Sequence, residues 1–83
     1  MQEWNEGFEI EHLVVLEKHS RILVAAKQQD RCDLLFLIDE HSGDVYVHQP
    51  DGSWEHIFGT DSRTVISHMV AARNRNIPIY SQQ

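Results

Sequence analysis

Basic residues are absent from Cys32 to Ser62. Within that span lie Asp33, Asp39, Glu40, Asp44, Asp51, Glu55 and Asp61. All seven bases fall outside it, as Lys18, Arg21, Lys27 and Arg31 before and Arg63, Arg73 and Arg75 after, and the chain carries a formal charge of −6. Nucleic-acid affinity comes largely from lysine and arginine displacing counterions, so direct nucleic-acid binding is not expected.

Other shortages narrow the reading further. One cysteine, Cys32, excludes an internal disulfide framework, as is usual in a reducing compartment. No apolar run approaches the roughly 18–20 residues that span a bilayer, and the first residues, Met1 to Glu6, are acidic where a secretory signal is basic and then apolar. The expectation is a cytoplasmic protein without a membrane segment. No repeat, low-complexity tract or linker divides the 83 residues, so one small α+β domain is expected over 1–83, with 1–7 as a flexible arm and 79–83 as a tail. At 41% apolar and 24% charged, the chain has the composition of a folded domain.

Four glycines and two prolines punctuate the sequence unevenly. Asp33–Ile38 and Asp44–His48 read as strands joined through Asp39-Glu40-His41-Ser42-Gly43. Gln49-Pro50-Asp51-Gly52-Ser53 has the signature of a type I turn followed by a left-handed glycine, leading into a third strand, Trp54–Phe58. Pairing Gln49 with Ser53 sets His48 opposite Trp54, Tyr46 opposite His56 and Val45 opposite Ile57. Val45, Val47 and Ile57 then share a core face, and Tyr46, His48, Trp54 and His56 share an aromatic, less buried one. Thr60-Asp61-Ser62 offers capping oxygens, and Val65, Ile66, Met69 and Val70 follow helical spacing. A helix is expected from about Ser62 to Arg75, stopped by Asn76 and Pro78.

Residues Phe8 to Arg31 contain no glycine, proline or asparagine. A helix would gather Val15, Leu16, His19, Ile22, Leu23 and Ala26 on one stripe but leave Leu13, Val14, Val24 and Ala25 off it. Two strands, His12–Leu16 and Ile22–Ala26, would need Glu17–Arg21 as a turn without the usual turn residues. The helix is preferred. The expected architecture is thus αβββα, a three-stranded antiparallel sheet flanked by N- and C-terminal helices, with a five-stranded antiparallel meander and C-terminal helix as the alternative.

Catalytic motifs are missing. There is no nucleophile elbow, phosphate-binding glycine loop or dinucleotide fingerprint, and no cofactor is implied. Six histidines raise a metal reading, with His48 and His56 diagonal on one face, but no four-ligand set follows from the spacing, and no metal site is assigned. Cys32 is expected to be buried, as free cysteines commonly are. Trp4 and Trp54 are the better binding candidates, since tryptophan buries much area at small entropic cost.

The favoured function is a non-enzymatic protein that binds another protein with a basic surface, such as a nucleic-acid-binding enzyme, in the manner of an inhibitor, immunity or regulatory protein. Asp39, Glu40, Asp44, Asp51 and Glu55 would steer the encounter, and Tyr46 and Trp54 would anchor the complex. The alternatives are a His-based metal-responsive domain and a self-associating subunit.

Overall fold

A computed structural model describes residues 7–83 of the chain. Six strands and one long helix follow in the order β1 (Phe8–Leu16), β2 (Arg21–Gln28), β3 (Arg31–Asp39), β4 (Val45–His48), β5 (Trp54–Ile57), α1 (Gly59–Arg73) and β6 (Ile79–Gln82). They form one sheet in the order β5-β4-β3-β2-β1-β6. The first five strands are an antiparallel meander. The chain then crosses back through α1, and β6 joins the far edge parallel to β1. Fifteen helical residues reach about 22 Å, close to the roughly 24 Å between the outermost strands of a six-stranded sheet, so one helix suffices for the crossing.

This corrects the αβββα architecture. The N-terminal segment is two strands, and the five-stranded meander with a C-terminal helix is closer, lacking only β6. The turn that appeared to lack turn residues is a short 3-10 segment, Glu17–His19, closed by Ser20 in the left-handed region at φ 51° and ψ 48°. The next hairpin turns through Gln29 at φ 50°. Both reversals therefore place an ordinary L-residue where glycine or asparagine is the usual choice.

The C-terminal residues 79–82, expected as part of a tail, pair instead with β1. The Leu13 N–H donates to the Pro78 carbonyl at 3.1 Å, and Ile79, Tyr80, Ser81 and Gln82 lie beside Leu13, Val14, Val15 and Leu16. The helix spans Gly59–Arg73, where Ser62 to Arg75 was expected. No side chain caps its start, so Thr60, Asp61 and Ser62 sit inside the first turn, where Asp61 still complements the positive end of the dipole.

The core lies between the helix and one sheet face. Phe8, Ile10, Leu13, Ile22, Val24, Ala26, Leu34, Phe36, Ile38, Val45 and Val47 come from the strands, and Val65, Met69 and Ala72 from α1. Phe36 is fully buried and meets Phe8 edge-on at 5.8 Å between centroids. A register shift between Ile10 and His12 makes Glu11 an extra residue in β1. It keeps Leu13 in the core and turns His12 to the opposite face. Met69 is core, as its helical spacing suggested, whereas Cys32 is exposed near the start of β3, contrary to expectation.

Candidate functional site

The expected hairpin register is observed: Val45, Tyr46, Val47 and His48 face Ile57, His56, Glu55 and Trp54. Directly paired residues share a face. Tyr46, His48, Trp54 and His56 therefore lie together on the sheet face away from α1. Their rings touch in two sets. His48 meets Trp54 edge-on at 5.0 Å, and His56 lies 5.0 Å from Tyr46 and 4.3 Å from Phe58. Trp54 is 40% exposed and Phe58 70%, so this edge of the sheet presents aromatic surface to solvent.

Phe58 was not singled out from the sequence. Its signal was the i, i+2, i+4 spacing of Trp54, His56 and Phe58, which continues the alternation of β5 one residue past the last ladder pair. Tyr80 was missed with β6, and its ring stacks edge-on to His12 at 5.8 Å on the same open face. Trp4 lies outside the described residues.

The seven sequence-selected residues are placed in three ways. Asp44 and Tyr46 come together at His56, with Asp44 Oδ1 3.1 Å from His56 Nε2, while Trp54 lies at the other end of the β4–β5 hairpin against His48. Asp39 and Asp51 hold turns. Asp39 Oδ1 accepts the N–H groups of Ser42 at 3.1 Å and His41 at 2.9 Å, which keeps its carboxyl below the usual range; the nearby Arg21 acts in the same direction. Asp51 Oδ1 accepts the Ser53 hydroxyl at 2.6 Å and its N–H at 2.9 Å, again lowering the carboxyl pKa. Glu40 and Glu55 stand apart. Glu40 is exposed in the β3–β4 loop, and Glu55 pairs with Val47, so it lies on the helix side of the sheet and accepts from Gln49 Nε2 at 3.0 Å.

No protein-family model, curated protein or solved structure matches the chain. Function must therefore be argued from the surface itself. Among the described residues, no three histidine, cysteine, aspartate or glutamate side chains are grouped to hold a metal, and no helix is long and apolar enough to cross a membrane. One concavity, of about 250 Å³, is lined by Thr60, Arg63, Thr64, Ser67 and His68 on the outer part of α1. Burial of His68 lowers its pKa, in keeping with its ring contact to the core residue Phe8 at 4.7 Å. That contact gives His68 a packing role.

Charge is unevenly spread over the strands. Asp39 approaches Arg21, and Asp33 approaches Arg31, each at 3.9 Å. Glu40, Asp51, Glu55 and Asp61 have no such base partner among the described residues. They sit in the β3–β4 loop, the β4–β5 turn, β5 and the start of α1; Asp51, Glu55 and Asp61 border the β4–β5 edge, whereas the Glu40 N–H donates to the Ser20 carbonyl at 2.9 Å, beside the start of β2.

Proposed function

We propose that this chain is a non-enzymatic binding protein that docks the β4–β5 end of its sheet on a basic surface of another protein. The observation that carries the reading is an aromatic cluster at a sheet edge, with Trp54 and Phe58 exposed, inside a stretch of chain that has acids and no base. Aromatic side chains supply the contact area that dominates protein–protein affinity, and flanking charges act mainly on the rate and selectivity of encounter.

Roles divide accordingly. Trp54 and Phe58 are the anchors, with His48 packed beside Trp54 and His56, itself against Tyr46, packed beside Phe58. Glu40, Asp44, Asp51 and Glu55 supply the negative rim. Asp39 contributes to the field but is committed to its loop and to Arg21.

The test begins with capture on the immobilised chain, identification of retained proteins by mass spectrometry, and titration of the purified partner. Trp54→Ala is expected to keep the fold and weaken binding by about 2 kcal/mol or more, roughly thirtyfold, chiefly through faster dissociation. Replacing Asp44, Asp51 and Glu55 together by their amides should slow association at low salt and flatten its salt dependence. Association of that folded triple variant at the wild-type rate would reduce the acidic end to a solubility surface.

A further inference from the structure

Five successive pairings place His56, Tyr46, Leu37, Leu23, Val14 and Tyr80 in one row across all six strands, on the face opposite α1. Leu35, Ala25 and His12 form a second row on that face, with Leu35 beside Ala25 and Ala25 beside His12. The aliphatic members of both rows are only partly buried, and no described helix packs over them. A two-layer fold normally leaves solvent-facing strand positions polar. Here the positions in the middle of the sheet are apolar.

Charged residues bound the apolar rows on both sides. Asp39 and Arg21 lie beyond the Leu37–Leu23 pair, and Asp33, Lys27 and Glu9 lie beyond Leu35 and Ala25. Apart from Asp44, which meets His56 at one end of the long row, their signs are balanced: Arg21 approaches Asp39, Lys27 approaches Glu9 and Arg31 approaches Asp33, each at 3.9 Å. An apolar centre inside a polar rim is the anatomy of an interface.

We infer that this sheet face is the contact between two copies of the chain. The balanced rim offers no net attraction to a basic partner, but its paired acids and bases let two identical faces meet without like charges being forced together. Size agrees. Strands about 4.8 Å apart and side-chain rows about 6.8 Å apart give the six-strand row and the three-strand row together a flat area of roughly 300 Å². That is within the range of the largest apolar patches on monomers, and with side-chain relief and the charged margins the contact is at the small end of specific interfaces, as suits a weak dimer. Two such sheets, packed about 10 Å apart under a two-fold axis, make a sandwich with a helix on each outer side.

This contact shares Tyr46 and His56 with the proposed docking surface, so the two occupants compete for one face, and salt separates them. The surplus acids, including Glu17, Glu40, Asp51, Glu55 and Asp61, lie off the apolar rows, so like copies repel at long range and added salt should tighten the dimer. The same salt should weaken a complex with a basic partner.

Sedimentation equilibrium of the full chain, over a concentration series at low and high salt, reads the result. The expected outcome is a monomer–dimer equilibrium that shifts toward dimer with salt. The double variant Leu23→Glu, Leu37→Glu should be a folded monomer by circular dichroism. Tyr80→Ala, an exposed change on the edge strand, should raise the dissociation constant about tenfold if the double variant fails to fold. Val70→Glu on the exposed side of α1 should leave the dimer unchanged. A chain that stays monomeric throughout overturns the inference. So does a dimer that survives both sheet-face changes, or one that is lost in Val70→Glu.

Discussion

Phe36 and Leu37 are neighbours in β3 whose side chains point to opposite sides of the sheet, and they test the assignment of the two faces. Phe36 is 0% exposed between Phe8 and the helix-side core, so truncation to alanine removes a full ring and leaves a cavity. Such changes cost about 3–5 kcal/mol, a large part of the roughly 4–12 kcal/mol expected for a chain of this length. Leu37 is only partly buried, with solvent on its outer side. Its truncation loses a fraction of the ~1.5–3 kcal/mol that full burial of a leucine contributes and opens no closed cavity, so about 1 kcal/mol or less is expected. Urea unfolding followed by circular dichroism, at a concentration where the chain is monomeric, gives both differences, with the slope held constant as a check on two-state behaviour. Equal losses at the two sites, or a larger one at Leu37, would refute the assignment of covered and open faces.

Ser20→Gly and Gln29→Gly should each raise stability, by up to about 1 kcal/mol, because both residues hold positive φ where glycine is unstrained; thermal melts that fall in both variants would show that these turns are built differently. The lowered carboxyl pKa values of Asp39 and Asp51 make stability depend on acid. Their contribution is full above the unfolded value of 3.8 and is lost as pH falls through the lower folded values, so the melting temperature should drop below about pH 4 and drop less in Asp39→Asn and Asp51→Asn. An acid melt identical in wild type and both amides would mean that these turn hydrogen bonds do not favour the ionised carboxyls.

The parts of the fold that were legible in the sequence carry their own punctuation. Gly43, Pro50, Asp51 and Gly52 mark the β3–β4 and β4–β5 reversals, and the Gln49–Ser53 closure predicted from them is present, with the Gln49 N–H donating to the Ser53 carbonyl at 2.8 Å. Ser20 and Gln29 give no such mark, which hid the first two hairpins. The apolar second face hid them further. Because Leu23 and Ala25 on the open side are apolar like Ile22, Val24 and Ala26 on the core side, β2 reads as an unbroken run that also satisfies a helical stripe. Strand β6 rests on a long-range parallel pairing with β1, which no local pattern announces. Apart from Phe58, which lies past the last ladder pair, the aromatic end of the site was readable from hairpin register alone. The long row from His56 to Tyr80 was not, since it needs every strand of the sheet in place.

The β4–β5 end of the sheet is proposed as the surface that meets a basic partner. Amide chemical-shift mapping of the labelled chain, on addition of the captured and purified partner, tests it most directly. The largest changes are expected at Tyr46, His48, Trp54, His56 and Phe58, fading with added salt as screening weakens the complex. Changes confined to the outer side of α1, around Val70, or a binding partner that leaves the β4–β5 amides unmoved, would contradict it.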